Sequence, residues 1–199
     1  MPWPVWQDDL EAAIGPPPGG TFTFDVGFRG WLSSPTRRTA TEFCQREFGD
    51  RFDFVGYSDF YGYLKHGEAE QQRRRADFLR SLRECRVQLA PCSIDGVWPY
   101  RGFEAMATGH VAAVICTGQE FPRADVIPYR EIMLLIPAED AHAIGRYIRD
   151  FLSRTPDSEL LKMGARARDY WMRYLDGRKW PQIHAELVEQ QTRKMGVIA

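Results

Sequence analysis

Residues 100–115, YRGFEAMATGHVAAVI, decide the fold. The first half reads as a short helix that stops at Gly109, and the second half, HVAAVI, is apolar at successive positions. Unbroken apolar character marks a strand covered on both faces, as in a parallel sheet. Arg101 and Glu104 stand three apart at the start of the helix, so they share a face. Two readings are open for them. One is a local surface salt bridge, which is worth little. The other is a pair presented to a ligand above the edge of a sheet.

Outward from this segment the same alternation repeats. TFTFDVGFRG, residues 21–30, reads as a strand with alternating aromatics ending in glycine. SSPTRRTATEFCQREFG follows, with Ser34 suited to the N-cap, Pro35 to the first helical position and Gly49 to the stop. Ala40, Phe43, Cys44 and Phe48 make its apolar stripe. RFDFVGY is a second strand, and a helix over 71–85 presents Phe78, Leu79, Leu82 and Cys85. RVQLAPC, HVAAVI and IMLLIP supply three further strands. From Ala141 the pattern is helical, with further helices expected over 158–175 and 181–194. Strands alternating with helices predict an α/β domain, a Rossmann-like doubly wound parallel sheet of about five strands. The expected organisation is an irregular lead-in over 1–20, the Rossmann-like domain over 21–175 and a C-terminal helix over 176–199.

The totals narrow the partners. A chain of 199 residues can bury a real core. A net charge of -1 gives no global field toward nucleic acid or an anionic membrane. The one dense basic block, Arg73-Arg74-Arg75, reads as a solvated helix face. No run is apolar and long enough for a membrane span or a signal peptide, so a soluble, cytoplasmic protein is expected. Cys44, Cys85, Cys92 and Cys116 lie far apart in mainly apolar surroundings and read as buried free thiols of a reducing compartment. A Cys92–Cys116 bridge would require both to end neighbouring strands. The four histidines, 66, 110, 142 and 184, show no metal spacing.

Ligands on doubly wound sheets bind beyond the carboxyl ends of the strands. That rule selects the loops 27–34, 92–100 and 116–122. In the first, Gly30 precedes a helix N-terminus, which favours phosphate. Arg37 and Arg38 oppose the helix dipole there. They read either as diphosphate contacts or as two exposed arginines after a surface turn. In the second, Gly96 would let backbone approach a ligand, and Trp98 suits either stacking on a base or sugar or core packing. In the third, Gly118 allows close approach and Glu120 is a candidate sugar contact, or the loop is an ordinary βα connection.

The order of these elements resembles the nucleotide-sugar-binding half of the GT-B glycosyltransferases, the exostosin-like family in particular. The likeness rests on VQLAPC, Gly96, Arg101, FEAMATG, AAVI, EFP and LLIPAED, and spans about residues 21–175. It implies a nucleoside-diphosphate sugar donor, with uridine as the expected base, and a glycan or other hydroxyl acceptor. It implies that Glu104 holds the ribose, Arg101 the diphosphate, and Arg37 or Arg38 a second phosphate contact. Positive side chains and helix dipoles would stabilise the leaving diphosphate without a bound metal or other cofactor. Retaining relatives often carry two glutamates eight apart. Gly96 occupies the earlier position here, which points to inversion. The family's GCIPVI becomes GHVAAVI here, so its proline is absent. Either an acceptor-binding half comes from a longer chain or a partner chain, or the chain is a non-catalytic nucleotide-sugar-binding or subunit-interaction module; no residue here is assigned as general base. If the chain belongs to a longer membrane-anchored protein, the resemblance implies the Golgi lumen.

Overall fold

A computed structural model describes residues 8–58, 67–92 and 96–179. The five expected strands form one sheet: β1 (Phe24–Trp31), β2 (Phe52–Tyr57), β3 (Cys85–Ala90), β4 (Ala112–Cys116) and β5 (Leu134–Pro137). The order is β2-β1-β3-β4-β5 and every pairing is parallel. The chain therefore steps outward from β1 to β2, then returns past β1 to build β3, β4 and β5. That reversal makes the carboxyl ends of β1 and β3 the switch point, where open α/β sheets leave a crevice.

The two directions of travel put helices on opposite faces. α1 (Pro35–Phe48) joins β1 to β2, whereas α2 (Glu68–Glu84) leads back into β3 and α3 (Tyr100–Thr108) into β4. After the short α4 (Tyr129–Ile132) and β5 come α5 (Ile144–Arg154) and α6 (Asp157–Tyr170). On one face Val26, Phe28, Val87, Leu89 and Ile115 pack against Ala40, Cys44, Ile144 and Ile148. On the other, Ala90, Ala112 and Val114 pack against Phe78, Leu82, Phe103, Met106 and Trp171.

Local signals set the boundaries. Ser34 has extended backbone and its hydroxyl accepts from the Arg37 N–H at 3.2 Å, with Pro35 inside the start. α3 ends at Gly109 in the left-handed region, φ 82°. Close packing of α6 on this turn depends on Gly164, where a Cβ would lie 1.9 Å from the Gly109 carbonyl oxygen. α6 runs on as a π-helical turn over Trp171–Leu175, with Trp171 fully buried.

Two details differ from the sequence reading. Within the first twenty residues, Asp8–Ala13 forms a 3-10 helix whose Leu10 and Ala13 are fully buried in the core beside α2 and α3. The His110 Nε2–H donates to the Ala13 carbonyl at 2.8 Å, tying this segment to the start of β4. The basic block of α2 is not uniformly a solvated face: Arg73 is 66% exposed, but Arg74 and Arg75 only 19% and 21%. The helical period puts residue 75 in line with Phe78, Leu79 and Leu82, on the buried side. Helix 181–194 lies outside the described residues.

Candidate functional site

The carboxyl edge of β1 and β3 is built from three converging helix starts or faces. α1 brings Arg37 and Arg38, α3 brings Arg101 and Glu104, and α2 brings Arg75 and Phe78.

Arg101 packs its guanidinium between two aromatic rings. Its guanidinium sits 4.6 Å from the Phe78 ring and 5.1 Å from the Phe28 ring, so it bridges the two cores where they meet at the sheet edge. A Cβ on Gly30 would stand 3.0 Å from Arg101 Nη2. The glycine thus leaves the space that the guanidinium fills. Arg101 is partly buried as a residue, yet its Nη1 is sealed from solvent and has no hydrogen-bond partner among the described residues. Burial pulls its pKa down to about 10; neighbouring Glu104 opposes the fall, and Arg37 and Arg75 add to it. An unmet buried N–H of a charged group is costly, and native proteins carry few of them.

Glu104 is only 5% exposed. Its ion pair comes from α2: Arg75 Nη1 donates to Oε1 at 3.0 Å. The local Arg101–Glu104 salt bridge is not formed, because Arg101 is drawn up against the aromatic rings while Glu104 turns to Arg75. The Arg75 guanidinium also lies 5.1 Å from the Phe78 ring, so one ring borders two like charges.

Arg37 and Arg38 tie the strand ends together. Arg37 Nε donates to the Pro91 carbonyl at 3.2 Å and Nη1 to the Trp31 carbonyl at 2.9 Å. Arg38 Nη1 donates to the Leu32 carbonyl at 3.0 Å, and Arg38 is otherwise exposed. Ser34 completes the tie, its hydroxyl donating to the Cys92 carbonyl at 3.1 Å. Burial lowers the Arg37 pKa. The arginines that looked ill-placed at a helix N-terminus therefore meet carbonyl oxygens of two strand-end loops.

The other expected positions are more dispersed. Gly96 is exposed with φ 77°, and its N–H donates to the Thr117 carbonyl at 3.0 Å and to Thr117 Oγ1 at 3.2 Å. This links the loops after β3 and β4. Gly118 and Glu120 are exposed, and the intervening Gln119 is buried, with Nε2 donating to the Ile115 carbonyl at 3.0 Å. Trp98 is core: it is 7% exposed and stacks among Phe103, Phe121 and Tyr129 with ring centroids 4.7–5.3 Å apart. Cys92 and Cys116 are free thiols, and Cys92 Sγ contacts Thr117 Oγ1 at 3.2 Å. A depression of about 450 Å³ lined by Phe121, Ile127, Tyr129, Arg130 and Leu135 includes none of the expected site residues. Among the described residues, no helix is long and apolar enough to cross a membrane.

Arg75 and Phe78 were missed as site residues. The signal was present: Arg75 continues the 78-79-82 apolar stripe one turn toward the N-terminus, and a lone charge on such a stripe needs a buried partner.

No protein-family model matches the chain, and no curated protein does. Among solved structures, a sucrose-phosphate synthase from Thermosynechococcus elongatus is similar, with 17% identity and a TM-score of 0.46 over 100% of this chain. The match covers 52% of that structure, so the chain spans about half its length.

Proposed function

We propose that this chain is the donor-binding half of a glycosyltransferase, holding a nucleoside-diphosphate sugar across the carboxyl ends of β1 and β3. The observation that carries the reading is Arg101, whose sealed Nη1 has no hydrogen-bond partner among the described residues and which lies at the switch point near the buried Glu104. A diphosphate oxygen would satisfy that N–H with a charge-assisted bond. Glu104 would accept from the vicinal hydroxyls of the ribose. Arg37 and Arg38 retain further donors for phosphate, and the open backbone at Gly96 and the exposed Glu120 border the sugar side. Transfer would proceed with inversion. The cations at this edge would stabilise the leaving diphosphate, in place of a bound metal. The resemblance to exostosin-like enzymes supports the uridine base and the assignment of Arg101 and Glu104.

Calorimetric titration with uridine, guanosine and adenosine diphosphates tests this. Binding of at least one, with uridine diphosphate tightest, is expected; no heat with any of them overturns the donor site. A second reading is a nucleotide-sugar-binding or subunit-interaction module without turnover. It is favoured by the single parallel sheet among the described residues, which leaves the acceptor half to be supplied from elsewhere. Binding without hydrolysis or transfer of the sugar would select it.

A further inference from the structure

We infer that Arg75 is a positioning residue of the nucleotide site, fixing the Glu104 carboxylate in the orientation that receives the ribose hydroxyls. The inference rests on the donor-site reading above and adds a residue from an element, α2, that lies outside the strand-end loops.

The geometry is specific. Arg75 reaches Glu104 Oε1 at 3.0 Å across 29 residues of sequence, joining the middle of α2 to the first turns of α3. Its guanidinium is held on the Phe78 ring, three residues on along the same helix face. Side-chain exposures of 21% for Arg75 and 6% for Glu104 make the contact largely buried. A carboxylate at that depth needs a paired cation. Arg101, the nearer cation in sequence, makes no ion pair among the described residues and stays against Phe28 and Phe78. The two arginines therefore divide the work. Arg75 orients the acceptor of hydroxyl protons, and Arg101 keeps its N–H for an anion. A carboxylate offers about four lone-pair sites, so one bond from a guanidinium does not exhaust its capacity to accept.

A fixed carboxylate matters because an accepting group that must reorient loses part of its hydrogen-bond energy to ordering. The consequence is selectivity for the ribose itself rather than for the nucleotide as a whole. A merely structural Arg75 would weaken all nucleotides alike.

The test is calorimetric binding of uridine diphosphate and 2′-deoxyuridine diphosphate to the wild type, Arg75→Gln and Arg75→Lys. Both substitutions suit a helix interior, and circular dichroism confirms folding. The wild type is expected to prefer the ribonucleotide by roughly tenfold or more, the scale of a charge-assisted hydrogen bond. Arg75→Gln should lose most of that preference, to within about threefold, while Arg75→Lys keeps an intermediate value. An unchanged preference in Arg75→Gln, or a uniform loss for both nucleotides, overturns the positioning role while leaving the donor site standing. A wild type that binds both nucleotides equally overturns the ribose contact and Arg75 with it. A wild type that binds neither overturns the donor reading first, and this inference falls with it.

Discussion

Replacing Arg101 with methionine should leave the unliganded protein at least as stable and remove its affinity for nucleoside diphosphates. The first half follows from the local energetics. Burial pulls the Arg101 pKa well below its ordinary value, to about 10, which corresponds to roughly 3 kcal/mol against the charged form in the folded state. That cost is fully present below the folded pKa and fades only at strongly alkaline pH, so it acts throughout the neutral range. The Phe28 and Phe78 faces return part of it, about 1 kcal/mol or somewhat more per ring. Methionine keeps most of the stem packing and has its own sulfur–aromatic contact, about 0.3–1.5 kcal/mol. Glu104 loses a neighbouring cation but keeps Arg75 at 3.0 Å. The net expectation is a stabilisation of about 1 kcal/mol, or a melting temperature higher by about 2–4 °C for a chain of this size.

The second half follows from the bond the guanidinium would make. Losing a charge-assisted contact to phosphate weakens binding by roughly ten- to a hundredfold. Urea denaturation and thermal scanning give the stability, and calorimetry with uridine diphosphate gives the affinity. Gaining stability while losing binding is the signature of a strained functional group. If Arg101→Met instead unfolded more easily by about 2 kcal/mol or more while binding normally, Arg101 would be a structural bridge between the two cores.

Three further outcomes are expected. Glu104→Gln should weaken uridine diphosphate binding by about 1.5–3 kcal/mol in calorimetry. Its stability should change by no more than about 1 kcal/mol, because the glutamine amide oxygen can still accept from Arg75, which is itself partly exposed. Gly164→Ala should destabilise the fold by about 1–3 kcal/mol in thermal denaturation, since the new Cβ would lie 1.9 Å from backbone at Gly109. A gain of helix propensity of about 1 kcal/mol works the other way, so a raised melting temperature would show that α3 and α6 separate freely. His110, buried and with its pKa lowered to about 4 by desolvation, binds a proton more readily when unfolded. Stability from this group is complete above the unfolded value of about 6.5 and is lost as pH falls toward 4, roughly 3 kcal/mol in all. His110→Gln should flatten the urea-midpoint slope across that window, and an unaltered slope would assign the acid sensitivity to other groups.

The parallel sheet was legible because each strand is bounded by residues with one structural use. HVAAVI suits a doubly covered strand, and Ser34-Pro35 suits the opening of a helix after β1. The placement of Arg101 and Glu104 at the carboxyl edge follows from the same alternation. Their partners were not legible, because partners are set by tertiary approach. Nothing adjacent in sequence ties Arg75 to Glu104, or Arg37 to the Pro91 carbonyl. Trp98 looked equally suited to a ligand and to a core, and its aromatic neighbours decided for the core. Leu10 and Ala13 were hidden by the proline–glycine run that follows them, since a short apolar pair shows no periodicity.

The cations of the carboxyl edge differ in what the fold has already done with them. Arg37 and Arg38 donate to carbonyls of the loops after β1 and β3, groups that the ends of strands leave unpaired. Arg75 donates to Glu104, and that contact reaches across from α2. These four bonds tie the elements of the carboxyl edge together before any ligand arrives, which is the preorganisation that a recognition site needs. Arg101 is held by two ring faces, which fix its position without satisfying its Nη1 among the described residues. A fold with no use for that N–H would gain by an apolar residue at 101, which fits the same rings at no desolvation cost. The arginine is therefore better explained by something that enters the crevice than by anything the folded chain supplies.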